Sequence, residues 1–351
     1  MGYGRFLAIR SFNAFLTLFV VTLMISGLFN VVLDVNAMTW IEEQVRADVQ
    51  NYTRQHPGVS EEAVQEYADS RRQFYMRRYQ LDKPLIYRIL YRTFAALTFD
   101  FGFSLYMTAP DGSRDVGAII LSKLPATLSL FLTATIITAV VGIYVGLKAA
   151  KKAGSIVDKS VAGFALVTNS IPMWWTGMLF ILFFSYYLRI FPSGGMHSLP
   201  LPPPGLPRFV DFLQHLMLPL ITVVFVSFGG WSYVVRNVVI DVMTQDFVLV
   251  ARAKGLPESK VLYGHVLRAA APPIVTMVIL GVIGSLSGAI ITETVFNWPG
   301  MGLLYWAAIG ANDLPIIIGE GYIFTFIFVI AMLIADLTYG LLDPRVKVGW
   351  G

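Results

Sequence analysis

Cysteine is absent from all 351 residues, which removes disulfides, thiolate metal sites and cysteine nucleophiles at once. Histidine is scarce: His56, His197, His215 and His265 stand apart, with neither an HExxH element nor an i,i+4 pair from which a zinc site could start. Charge is scarce too. Only 14% of the residues are Asp, Glu, Lys or Arg, against about 25% in a soluble domain. The net charge of +4 includes no long Lys/Arg run that could follow a phosphate backbone, which argues against nucleic acid as a partner. A GxxxxGK[ST] element is also missing, so no loop of backbone amides can cradle nucleotide phosphates.

Apolar residues fill the space left by charge, at 56% of the chain, with a mean hydropathy of +0.65. They gather into runs long enough to cross about 30 Å of hydrocarbon at 1.5 Å per helical residue. Five are clear, at residues 11–33, 124–147, 160–188, 212–235 and 269–292. A sixth, at 314–342, is interrupted by Glu320 and Asp336. The first run is too long for a signal-peptide core and lacks a small-residue cleavage site before Asp34, so it reads as a retained span. The fold class expected is an all-α polytopic membrane protein, with six transmembrane helices and a helical extracellular insertion after the first. Its parts are an N-terminus and first helix (1–33), the insertion (34–115), and a five-helix core (116–351) with a cytoplasmic loop at about 236–268.

Short loops with Lys and Arg stay cytoplasmic. Arg5 and Arg10, then Lys148, Lys151, Lys152 and Lys159, then Arg236, Arg252, Lys254, Lys260 and Arg268, and lastly Arg345 and Lys347 all fall on one side. Both termini are therefore expected in the cytoplasm of a cell whose membrane holds the chain. The insertion then lies outside. In it Thr39 with Glu42 matches a capping box, Ser60 follows the His56-Pro57-Gly58 break as an N-cap, and Asp82-Lys83-Pro84 marks a third helix start. Leu85, Ile86, Ile89, Leu90, Phe94 and Leu97 share one helical face, which suits either the membrane surface or the core of a small exterior domain. Asn51-Tyr52-Thr53 is a sequon, making Asn51 a possible glycosylation site. The proline-rich 199–207 stretch cannot continue a helix and reads as an outer linker.

The loop at 236–268 is long and has helical character of its own. Gly255 can take the positive φ of a helix C-terminus, and Pro257 with Glu258 suits the first turn of the next helix. Small Ala251 and Ala253 allow close approach of a partner backbone, and Arg252 and Lys254 offer charge to an acidic surface.

The stretch DFVLVARAKGLPESKVLYGHVLRAAAPPIVT resembles the signature loop of binding-protein-dependent ABC importer permeases, in particular the B-type subunit of the dipeptide/oligopeptide/nickel family. Ala251, Arg252, Ala253, Lys254, Gly255 and Leu256 match the loop's core, and His265, Leu267, Arg268 and Pro273 match the helix after it. The blocks DFGFS (100–104), LPATLSL (124–130), ETVFNWPGMG (293–302), NDLPIIIG (312–319) and DPRV (343–346) fit as well. Residues 34–78 are longer and more charged than that family's pattern. The resemblance implies a permease that forms the pathway with a second homologous permease, couples to two ATPase subunits through this loop, and receives solute from an extracellular binding protein. ATP and magnesium would sit on the ATPases, with no cofactor, metal or catalytic residue on this chain. The cargo implied is a peptide, an oligosaccharide or nickel.

Pathway candidates come from polar or interrupting residues within spans. Asn169, Ser170 and Pro172 break the third run, and Trp174 and Trp175 offer either a stacking surface or ordinary helix packing. Glu293 and Glu320 are acidic groups at the end of the fifth run and inside the sixth. Asp336 and Asp343 suit pairing with loop cations, Lys123 suits the headgroups, and His215 an interfacial or helix–helix hydrogen bond. Two other classes have less in the sequence to support them. A secondary transporter would carry repeats around midplane charges, and an intramembrane enzyme would have only Ser170 with His215 to offer.

Overall fold

The computed structural model describes residues 3–285 and 288–342. Among them no strand forms, and an isolated bridge between Phe103 and Asp115 is the sole β pairing. The helices are α1 (Tyr3–Gln55), α2 (Glu61–Arg78), α3 (Leu85–Leu97), α4 (Val116–Lys151), α5 (Ile156–Ser170), α6 (Met173–Phe180), α7 (Leu206–Met243), α8 (Asp246–Ala253), α9 (Glu258–Lys260), α10 (Leu267–Gly284), α11 (Ile290–Val295), α12 (Met301–Ala311) and α13 (Leu314–Leu342). Wider π-helical turns extend α6 through Ile181–Tyr187 and join α9 to α10 through Val261–Val266. Among the described residues five helices are long and apolar enough to cross a membrane, and α5 with the extended α6 makes a sixth crossing if that bent pair is one span. The chain is an all-α polytopic membrane protein.

Three runs differ from their sequence-predicted spans. The third is not one helix: α5 and α6 meet at 94° where Pro172 has no N–H to give the preceding turn. The fifth ends at Gly284, and Gly288, at φ 67°, precedes the separate α11. The first runs on past Asp34 to Gln55, because neither Gly nor Pro intervenes until Pro57. The Thr39–Glu42 capping box accordingly does not form. Thr39 donates its hydroxyl back to Val35 O, and Glu42 accepts from Arg72 instead.

The chain divides into two compact units. The smaller holds Phe15–Ser122 and Ala307–Phe326. Here α2 starts as expected at Ser60, whose Oγ accepts from Ala63 N, and folds back on α1. Arg72 bonds Glu42 at 2.9 and 3.0 Å, Arg71 bonds Asp48 at 2.7 Å, and Trp40 packs on Tyr75 and Tyr79. Asp313 is buried and accepts from the Ser104 hydroxyl and the amides of Leu105 and Tyr106, which ties the end of the insertion to the start of α13. The apolar face expected on α3 exists but does not form a core: Ile86 is 65% and Phe94 58% exposed, while Arg88 and Arg92 turn inward to Asp34.

The larger unit holds Lys123–Trp306 with the described residues of 3–14 and 327–342. Close helix approach is set by small residues: a Cβ at Gly146 would lie 2.6 Å from Ser232 O, and one at Gly142 2.9 Å from Trp231 Cβ. The linker before α7 is irregular, as its prolines require, and is held by Asp211, which accepts from His197 Nδ1 and Ser198 N. His215 is buried, and its Nδ1 donates to Asp211 O one turn earlier in the same helix, rather than across helices.

Candidate functional site

The segment between α7 and α10 is built on an apolar base. Val248 and Ala251 of α8 and Val261, Leu262 and Val266 of the π-helical turn are buried with Leu147 and Ala150 of α4, Val235, Val239 and Val242 of α7, and Ala270 and Ile274 of α10. Above that base α8 ends in the turn read from the sequence. Gly255 takes φ 73°, its N–H reaches Arg252 O at 2.9 Å, and Pro257 precedes α9. Arg252 forms a two-pronged ion pair with Glu258 across the turn, at 2.7 and 3.2 Å, and its pKa is raised chiefly by that hydrogen bond.

Arg252, Ala253, Lys254, Gly255, His265 and Arg268 all stand exposed, so the structure brings them onto one open segment. Ala251 and Leu256 do not join them. Ala251 faces the base beside Val248 and Leu256 packs half-buried against it, so close backbone approach is open at Ala253 and Gly255 and closed at Ala251. Four residues not singled out from the sequence stand with the exposed set: Phe247, Leu249, Val250 and Tyr263, with Leu249 68% exposed. The signal was apolar residues crowded beside charges outside any span, where solvent alone gives no reason for them. A second omission is Asp158. It accepts two hydrogen bonds from Arg236, at 2.7 and 2.9 Å, and one from Gly154 N, locking α5 to α7 just before the exposed segment.

The family model described as binding-protein-dependent transport system inner membrane component matches residues 142–348, which takes in this whole segment. The oligopeptide transport system permease protein AppB of Bacillus subtilis is 30% identical over 276 residues, 79% of this chain and 85% of its own length. The dipeptide transport system permease protein DppB of Escherichia coli K12 is 32% identical over 284 residues, covering 76% and 82%. A putative peptide permease protein of Brucella suis is 34% identical over 271 residues, again covering 76% and 82%. The chain belongs to the binding-protein-dependent transport permeases.

The permease's pathway candidates fall into two groups. Asn169 and Ser170, at the end of α5, and Trp174 and Trp175, in the first turn of α6, are exposed around the 94° break. Asn169 lies against Gly230, where a Cβ would meet its amide at 3.1 Å. Thr176 and Gly177, which follow, are buried, and a Cβ at Gly177 would lie 2.9 Å from the Phe296 ring. Glu293 and Glu320 do not share that surface, since both are fully buried. Glu293 accepts from the Thr127 hydroxyl at 2.9 Å and from Leu303 N at 3.0 Å, while Thr127 Oγ1 accepts from Met301 N. It thereby clamps the first turn of α12, where orphan amides need an acceptor. Asn51 is exposed in the last turn of α1, and the DPRV block lies outside the described residues.

Proposed function

We propose that this permease is one of two homologous membrane subunits of an ATP-driven peptide importer, and that α8 with the turn at Gly255 docks on an ATPase subunit. The observation that carries the reading is the exposed turn itself: cationic, fronted by unpartnered apolar side chains, and fixed by a buried base to α4, α7 and α10. Movement imposed on such a turn passes directly to the spans. Peptide is preferred to oligosaccharide or nickel because the relatives above are named for peptides. The remaining partners follow from the family: two ATPases carrying ATP and magnesium, and a solute-binding protein that delivers cargo from outside. The chain itself contributes a path and no chemistry, with Asn169, Ser170, Trp174 and Trp175 at the broken helix as its pathway surface. The exposed segment and both termini are cytoplasmic in this reading, and residues 34–115 are external.

Gly255→Val tests it. A β-branched residue at φ 73° strains the turn by about 1–2 kcal/mol and projects where the chain itself leaves open space. The expected result is normal membrane insertion with loss of substrate-stimulated ATP hydrolysis and of the co-purifying ATPase. Wild-type coupled transport by the variant would sink the docking assignment.

A further inference from the structure

The apolar face of α3 has no cover among the described residues, and the contacts of the opposite face say where the helix lies. Arg88 pairs with Asp34 at 2.9 Å, and Arg92 pairs with Asp34 at 3.2 Å and donates to Asn30. Two residues further on, the Phe94 ring is 6.1 Å from that of Phe19. Ala96 is buried in one cluster with Leu18 and Tyr322, and Phe99 after it reaches Tyr322 and Phe326 at 5.7 and 5.0 Å. As α3 advances, its partners thus move down α1 from Asp34 to Leu18, about 24 Å of helix, entirely along the uncharged run of the first span. The chain then climbs back: Phe101 packs at Gly319 and Ser104 reaches Asp313 at the head of α13.

We propose that α3 and the return segment to Ser104 form a re-entrant hairpin sunk into the bilayer beside α1 and α13, with the exposed face of α3 against lipid acyl chains. Three features fix lipid as the occupant. The exposed face is continuous with the flank of a membrane span, because Phe15, 59% exposed, stacks on Phe19, which meets Phe94. Both arginines of α3 are turned from that face onto the one carboxylate of Asp34, with Arg92 donating to Asn30 as well, so that neither cation stands on the exposed side. Tyr87 and Tyr91 stand exposed in the entering half of α3, where the headgroup belt would lie. The irregular backbone that follows the helix keeps its amides bonded, as backbone at depth requires: the N–H groups of Thr98, Phe99 and Asp100 reach the Phe94, Ala96 and Ala95 carbonyls, and that of Gly102 reaches the Asp100 carboxylate. The inference rests on α1 and α13 being membrane spans and is independent of cargo or ATPase coupling.

The chain lacks cysteine, so single cysteines report on one site each. Nitroxide-labelled Phe94→Cys and Ile86→Cys would be examined in the assembled complex in lipid nanodiscs, with the other subunits' thiols blocked. Leu28→Cys on the exposed flank of α1 serves as the lipid reference and Gln73→Cys on α2 as the water reference. Collision with dissolved oxygen should exceed collision with a water-soluble nickel chelate at positions 94 and 86, as at 28, and the ratio should invert at 73. Chelate access at 94 and 86 equal to that at 73 would show a helix in water and overturn the proposal. Shielding of both positions from oxygen and chelate alike would overturn it too, because another subunit would then cover the face. Either of the two α3 variants that assembles is sufficient to decide.

Discussion

At the scale of single residues, burial separates the charges that hold this permease together from those left on its surface. Glu293 is fully buried, with two glycines closed around it: a Cβ at Gly288 would lie 2.7 Å from one carboxylate oxygen, and one at Gly300 would sit on Thr127 Oγ1 and the other oxygen. Its acceptors serve a hydroxyl and a backbone amide, so removing them strands both donors. Glu293→Ala should cost about 1–3 kcal/mol for each donor left buried and unpaired. Glu293→Gln should cost less, because its one carbonyl can still serve Leu303 N. The thermal midpoint of the assembled complex measures this, and equal midpoints for wild type and Glu293→Ala would show that the clamp carries no stability. The sequence placed Glu293 with the pathway because an acidic residue beside an apolar run looks functional. Nothing in its neighbours along the chain shows that Thr127, far upstream, supplies its partner.

At the scale of elements, helix existence was legible and helix ends were not. Ser60, Pro84 and Gly255 mark boundaries through their own backbone chemistry, and α2, α3 and α8 begin or end at them. The Thr39–Glu42 signal was overridden by pairing with α2, a long-range contact no local pattern contains. That pairing predicts a pH response. Arg72, hydrogen-bonded to Glu42, holds its carboxyl below the ordinary value. A depressed carboxylate contributes stability that is present above the unfolded value of about 4.3 and is lost as pH falls through the lower folded value. Both side chains are more than a third exposed, at 36% and 38%, so screening keeps the contribution to about 0.2–1 kcal/mol. Glu42→Gln should therefore loosen α2 relative to wild type at pH 7, as limited proteolysis of α2 would show, and the difference should vanish once the pH has fallen through the lowered folded value. A difference that persists at low pH would assign the effect to packing instead.

At the scale of the whole molecule, orientation is the property that charge alone has to decide, because neither helix lengths nor side-chain contacts distinguish one face of a bilayer from the other. The last turn of α4, the loop after it and the first turn of α5 hold Lys148, Lys151, Lys152 and Lys159, and the segment around α8 holds Arg252, Lys254 and Lys260. Each cation that must cross a membrane during insertion adds to the cost of the inverted topology, so these loops are expected to stay in the cytoplasm. The long insertion is free of that constraint and follows from the parity of the spans. Asp111 in the insertion and Lys151 at the end of α4 are both exposed and can be replaced by cysteine one at a time in a chain that has none. In intact cells an impermeant maleimide should label Asp111→Cys and leave Lys151→Cys untouched until the membrane is opened. The reverse pattern would put α8 and its turn on the outside, where no ATP-hydrolysing partner could reach it, and would remove the docking role together with the topology.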